Sequence, residues 1–296
     1  MWKNHFKLVV NRYIYMYRYM RRYTGPLRAC ILDWSGTTAD KYVIAPAVVF
    51  KEVFKKHGVP ISMKEARLPM GLRKDLHIKA ITEIPEVKTR WKEEYGEYPT
   101  QENIDAMFKD FVPLQLNNLG EYSQLIPGVR QAVNRLQSEY KLKIGVTTGF
   151  TRPMVDVLLE AVAAQGFVPD CTVAGDEVEH GARPKPFMIY KNLDILDVHP
   201  IEAVVKVDDT VGGVGEGLEA GCWTVGVSRY SNYMDIDSLP HENELSDEEI
   251  EFRHSKSKDI LKNTGAHYVI DTIADLPYIV GDINHKLRKG ETPRDY

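Results

Sequence analysis

The sequence predicts an α/β fold, with a parallel sheet covered by helices on both faces and an all-helical cap inserted above it. Three observations predict it. Short apolar runs, each closing on polar residues, recur along the chain. Helix-period segments separate them, the alternation that builds parallel sheets. Between the first and second runs lies a long stretch that carries only helical patterns.

The elements follow in order. Residues 29–33, Ala-Cys-Ile-Leu-Asp, form a buried strand that runs into the Gly36-Thr37-Thr38 loop. Helices are expected over 45–57, 73–82, 85–95 and 100–119, which make up the cap. The second strand is 143–147, followed by Thr148-Gly149, and a helix over 153–165 leads to a third strand at 171–174. A helix over 187–196 precedes the fourth strand, Ala203 to Val207, which ends in Asp208-Asp209; the fifth is 223–227. The acidic segment 243–251 reads as a solvated loop or helix start. The expected organisation is a basic N-terminal extension over 1–27, a Rossmann-like core from 28–42 and 126–290, and a helical cap over 43–125.

A chain of 296 residues, 43% hydrophobic and 27% charged, has globular composition, which excludes disorder, collagen and simple coiled coil. The net charge of −4 hides an asymmetry. Lys3, Lys7, Arg12, Arg18, Arg21, Arg22 and Arg28 fall in a start that contains no acid, so the body is acidic. An acidic body argues against a nucleic-acid partner. Cys30, Cys171 and Cys222 are too few and too scattered for a disulfide frame or zinc cluster, so a reducing, cytoplasmic setting is expected. No apolar run reaches the roughly 18–20 residues of a membrane span. The Arg-rich, tyrosine-rich start reads either as an organelle-targeting peptide or as an untidy extension.

Open α/β sheets bind ligands at the carboxyl ends of their strands. There this chain places Asp33, Thr147 or Thr148, Arg183 with Lys185, and Asp208-Asp209. A carboxylate nucleophile, a hydroxyl, a cation and a carboxylate pair are the parts of a phosphoryl-transfer site. So few hard oxygen ligands suit Mg²⁺, which keeps several waters and accepts substrate oxygens. Singly each is weak, since an Asp after a strand is more often a helix cap; four in order are not.

That order, with Asp33-Trp-Ser-Gly-Thr-Thr38, resembles the haloacid dehalogenase (HAD) superfamily of aspartate-nucleophile hydrolases. Within it, Pro69-Met-Gly-Leu-Arg-Lys-Asp-Leu-His77 is similar to the cap motif of the phosphonatase family. Thr147-Thr-Gly-Phe-Thr-Arg152, Gly181-Ala-Arg-Pro-Lys-Pro186, Lys206-Val-Asp-Asp-Thr210, Glu216-Gly-Leu-Glu-Ala-Gly221 and Gly265-Ala-His267 extend the match. The resemblance implies cleavage of a P–C bond in phosphonoacetaldehyde, giving acetaldehyde and phosphate during use of 2-aminoethylphosphonate. It implies Asp33 as nucleophile and Mg²⁺ ligand, with the Ser35 carbonyl and Asp209 completing the protein's ligands. Thr147 or Thr148 and Arg183 would bind phosphoryl oxygens, and Lys185 has no assigned role. Lys74 would form a Schiff base, His77 would shuttle protons, and Met70 and Gly71 would line the substrate loop. A homodimer through the cap is also implied.

The chemistry is coherent. Phosphatases of the superfamily carry a general acid where this chain has Ser35. A P–C bond has no lone pair to protonate, so its carbon needs an electron sink, which an iminium on Lys74 provides. That amine must be unprotonated, through burial or a neighbouring cation such as Arg73 or the bound Mg²⁺. Lys74 and His77, three apart, share a helix face. There are departures: Gly213 stands where a second carboxylate often follows Asp209, with Asp208 a possible substitute. Val43 and Phe150 replace a cysteine and a tyrosine of some members. The competing readings are a phosphomonoesterase, disfavoured by Ser35, and a non-catalytic binding protein, disfavoured by the surviving Asp33, Lys74, Arg183 and Asp209.

Overall fold

The computed structural model describes residues 22–296. Six parallel strands form one sheet in the order β3–β2–β1–β4–β5–β6. They are β1 (Ala29–Leu32), β2 (Lys143–Thr148), β3 (Cys171–Ala174), β4 (Val204–Asp208), β5 (Trp223–Val227) and β6 (Tyr268–Ile270). β1 lies between β2 and β4 with Leu32 level with both Val146 and Val207. The chain builds outward from β1 to β2 and β3, then crosses to β4 on the other flank. This reversal of direction opens a crevice at the carboxyl ends of β1 and β4. Asp33, Asp208 and Asp209 stand at that crevice.

Strand periodicity divides the core. Cys30 and Leu32 face one apolar cluster while Ala29 and Ile31 face the other. Helix α8 (Phe187–Leu196) and helix α9 (Val211–Ala220) cover the second face. Helix α6 (Val129–Ser138), helix α7 (Arg152–Ala163) and the helix over Leu276–Arg288 cover the first, while helix α11 (Asp247–Asn263) lays Leu261 against Gly226 on the second. Together they bury both faces, as a parallel sheet requires.

The insertion after β1 is all helical: α1 (Ile44–Lys56), α2 (Met63–Arg67), α3 (Lys74–Thr82), α4 (Pro85–Tyr95) and α5 (Gln101–Asn118). Ser62 caps α2 and Thr100 caps α5, each in a reciprocal capping box. Pro85 opens α4, where a missing N–H costs nothing, and Gly96 ends it in a left-handed turn. Phe50, Phe54, Ile78, Ile81, Trp91 and Phe111 pack inside the cap and continue into the apolar cluster on the first face of the sheet. The cap is therefore seated on the core.

Several elements differ from the sequence expectation. β6 is too short to leave a periodic signal. The acidic segment 243–251 is the junction between α10 (Leu239–Glu244) and α11, whose first turn carries Asp247, Glu248 and Glu249 behind the Ser246 cap. Helix α12 (Leu276–Arg288) has an amphipathic period that the sequence reading passed over. Leu27, assigned to the extension, is buried in the core, and its N–H donates to Asn284 Oδ1 at 2.7 Å. The basic start, which reads either as a targeting peptide or as an untidy extension, falls almost wholly on residues 1–21, outside the described residues. Among the described residues no helix is long and apolar enough to cross a membrane, and all three cysteines are buried and free.

Candidate active site

Asp33 leaves β1 at the crevice, its N–H donating to Val207 O at 2.9 Å and its carbonyl accepting from Thr38 Oγ1 at 2.6 Å. These bonds fix the backbone of the loop that carries the carboxylate. Gly36 is at φ 79°, and a Cβ there would lie 2.4 Å from Asp209 Oδ2. The turn needs glycine both for its backbone and for the close approach of Asp209.

Asp33, Asp208 and Asp209 are buried, with one oxygen from each lying within 4.8 Å of the others. Their charges are not balanced equally. Asp208 Oδ2 sits 3.0 Å from Lys206 Nζ and 3.4 Å from Arg183. Asp208 Oδ1 accepts from Thr210 Oγ1 at 2.7 Å. Burial would push this carboxyl up, but Arg183 and Lys206 hold it below the ordinary carboxylate value. Asp209 accepts from the Asn232 N–H at 2.8 Å and from Thr37 Oγ1 at 3.4 Å, and among the described residues no basic side chain pairs with it. Burial and the neighbouring Asp208 and Asp33 push its carboxyl far up. An all-oxygen donor set in which one carboxyl lacks a basic partner fits a hard divalent cation, whose charge would favour the carboxylate form. Asp33, Asp209 and the main chain at Ser35 are the groups that would hold it.

The place of the absent carboxylate at Gly213 is explained by the same geometry. A Cβ on Gly213 would lie 1.8 Å from Asp208 Oδ2. The Asp208 carboxylate already fills the space that a side chain at 213 would enter.

Arg183 is the hub of the cation side. Its Nη2 donates to Asp33 Oδ1 at 2.6 Å and to Thr147 Oγ1 at 2.9 Å, and its Nε donates to Glu216 Oε2 at 3.0 Å. Burial opposes its charge, but Asp208, Asp33 and Glu216 hold it firmly protonated. Among the described residues Nη1 has no hydrogen-bond partner, and the side chain lines the cavity beside Asp33. The alternation of β2 separates the two threonines. Thr147 points to the interior, where Lys206 Nζ donates to its hydroxyl at 2.8 Å. Thr148 lines the cavity. Lys185 is turned away and donates to His180 O at 2.9 Å.

The cap supplies the opposite wall. Lys74 opens α3 and is only 5% exposed, its ammonium 4.6 Å from the centre of the Phe150 ring. Burial lowers its pKa to about 8, with Arg183 assisting and Asp33 and Asp40 opposing. Arg73, an expected source of that shift, is instead engaged with Asp75 through two bonds of 2.7 Å. His77 stacks on Phe50 with ring centres 3.9 Å apart, and its Nε2 lies 2.8 Å from Ala66 O. Burial, followed by the Lys74 charge, drives its pKa far down, so the ring is neutral. A neutral ring beside a carbonyl carries its proton on Nε2, leaving Nδ1, without a partner among the described residues, as an acceptor. Met70, Gly71, Val43 and Ser35 also line the cavity. Gly71 is at φ 102°, and a Cβ there would meet Thr210 Oγ1 at 2.7 Å, so the cap loop touches the core only because this residue is glycine.

Two buried residues of the site had no role in the sequence reading. Lys206 and Glu216 lie under Asp208, Thr147 and Arg183, fully enclosed. Lys206 carried a signal, since a lysine inside the apolar run Val-Val-Lys-Val of a central strand must be paired when buried.

A strand-end aspartate facing an arginine, an acidic pair at the next strand, and a helical cap closing over them define an aspartate-centred hydrolase site. The chain belongs to the haloacid dehalogenase-like hydrolases, whose family model matches residues 27–221. Within that class it is 40% identical over 276 residues to a phosphonoacetaldehyde hydrolase of Syntrophobacter fumaroxidans, spanning 92% of this chain and 97% of that one. It is 40% identical over 268 residues to the phosphonoacetaldehyde hydrolase of Klebsiella pneumoniae, covering 90% and 99% of the two chains. The crystal structure of a phosphonoacetaldehyde hydrolase-like protein from Oleispira antarctica superposes with a TM-score of 0.88 at 37% identity, covering 92% and 97%.

Proposed function

We propose that this protein hydrolyses phosphonoacetaldehyde to acetaldehyde and phosphate with Mg²⁺ as its cation. One observation carries the reading: a buried lysine amine with a lowered pKa faces the Asp33 carboxylate across a single cavity. The Lys74 amine adds to the aldehyde carbonyl, and loss of water gives an iminium. His77 Nδ1 takes and returns the protons of that exchange. Asp33 then attacks phosphorus as the P–C bond breaks, and the bonding pair moves into the iminium to give an enamine. Arg183 Nη1 and the Thr148 hydroxyl bind the phosphoryl oxygens. Water cleaves the aspartyl-phosphate, while protonation and hydrolysis of the enamine release acetaldehyde and free Lys74. Mg²⁺, when bound, supplies positive charge beside Asp33 and the phosphoryl group. Ser35 leaves no acid for an ester leaving group, which disfavours the phosphomonoesterase reading.

The reading includes a homodimer through the cap, where Leu68, Tyr95 and Tyr98 stand exposed, and a cytoplasmic place in 2-aminoethylphosphonate use. The test of the activity is phosphate release from phosphonoacetaldehyde and from p-nitrophenyl phosphate, each with Mg²⁺ or with EDTA. Mg²⁺-dependent release from the phosphonate alone is expected. Faster release from the ester would overturn the reading.

A further inference from the structure

The cavity between Asp33 and Lys74 is narrow, with about 20 Å³ free inside it, room for about one water. A phosphonate is larger than that space, so the cap and core walls must move apart to admit one. One cap side chain reaches across that seam. Arg67, the last residue of α2, is 3% exposed. Its Nη1 donates to Tyr42 O and, at 3.2 Å, to Asn232 Oδ1, while Nη2 donates to Ile236 O at 2.6 Å. Its nearest carboxylate, Asp237, is 3.5 Å from Nε. Asn232 answers by donating Nδ2 to the Arg67 carbonyl at 3.2 Å. The main-chain N–H of the same Asn232 donates to Asp209 Oδ2 at 2.8 Å.

The two ends of this chain matter. On the cap side, Arg67 is followed directly by the loop that carries Met70 and Gly71 to the cavity and Lys74 to the substrate. Its Tyr42 contact grips the linker from the core, where Tyr42 and Val43 are held at φ 64° and 55°. A β-branched residue in that region is strained, and surrounding contacts must hold it. On the core side stands Asp209, the carboxylate of the acidic cluster that, among the described residues, has no basic side chain paired with it. A buried guanidinium answered mainly by carbonyls contributes little net stability, and holding a geometry is the best-attested use of such a group.

We propose that Arg67 and Asn232 are positioning residues that couple closure of the cap to the orientation of Asp209. The closed cap holds the Asn232 backbone where its N–H aims the Asp209 carboxylate. By reciprocity, a cation on Asp209 favours the closed cap. The proposal rests on the reading of Asp209 as a metal carboxylate.

The test uses the full chain and three variants: Arg67→Met, Arg67→Lys and Asn232→Ala. Calorimetric titration with MgCl₂ should show affinity about fivefold or more weaker in Arg67→Met and Asn232→Ala, although neither substitution removes an atom that would bind the ion. Arg67→Lys keeps the charge but loses the fork and should fall between. Amide exchange over residues 69–72 should slow on adding Mg²⁺ in the parent and slow less in Asn232→Ala. If Arg67→Met does not fold, the other two variants decide the matter. Folded variants with parental Mg²⁺ affinity and parental exchange would overturn the latch. A parent that binds no Mg²⁺ would instead overturn the metal reading. The latch is then judged on exchange without metal, and equal protection of 69–72 in parent and variants rejects it.

Discussion

At the scale of single residues, Lys74 shows how an environment frees an amine for the Schiff-base role proposed for it. Its pKa of about 8, against 10.5 for an ordinary lysine, raises the fraction of free amine at pH 7 to about a tenth, a gain of about 300-fold. The sign is that of a cation disfavoured by burial: lowering the pH through 8 protonates the amine and removes the free base that the proposed role needs. Borohydride trapping of acetaldehyde on Lys74 should therefore speed up about tenfold from pH 6 to 7 and level off above pH 8. Lys74→Arg should show neither trapping nor turnover. A pH-independent trapping rate, or an adduct on another lysine, would remove Lys74 from this role. The neighbouring His77 stays neutral throughout this range for the same reason, burial.

At the scale of elements, the turn from β4 into α9 carries a substitution pattern with a packing cause. Thr210 caps α9 through Gly213 N at 3.1 Å and also donates to Asp208. Position 213 faces the Asp208 carboxylate at clash distance. Gly213→Asp should therefore destabilise the protein by about 1–3 kcal/mol, the usual cost of overpacking, with like-charge repulsion added. Asp208→Gly in the same chain should recover most of that loss, since the second change vacates the space. Urea unfolding of both single variants and the double variant measures the coupling. Additive effects would mean that the two positions do not compete for one site.

At the scale of the whole molecule, the sheet and cap enclose carboxylates whose repulsion the protein's own cations balance only in part. A cation bound there stabilises the folded chain by mass action, about 2.7 kcal/mol at a concentration one hundred times Kd. For a chain of this size that corresponds to a Tm increase of about 5 °C or more. Thermal unfolding with Mg²⁺, and again after EDTA, measures it. Asp209→Asn should abolish the response. An unchanged Tm in saturating Mg²⁺ would mean that the acidic cluster does not hold the ion.

The sequence by itself determined what depends on neighbours along the chain. Apolar runs that close on Asp33, Thr148 and Asp208 mark strands β1, β2 and β4, because strand periodicity and strand-end polarity are local properties. The helical insertion was legible for the same reason, from its period, although the short helix α2 behind Ser62 was not expected. The motifs that carry Asp33, Lys74, His77 and Arg183 were legible as a resemblance, because each is a short run of neighbours along the chain, and the roles of those residues are what that resemblance implies. Tertiary structure decided what depends on partners far apart. Asp33 and Arg183 are separated by 150 residues, and Arg67 and Asn232 by 165, so no spacing encodes either pair. Which threonine faces the cavity followed from the packing of β2 over Lys206 and Glu216. The lowered Lys74 pKa came from burial under the cap rather than from Arg73, which its own Asp75 neutralises. Desolvation, charge balance and cap closure are properties of an enclosed volume, and that volume exists only once the chain has folded.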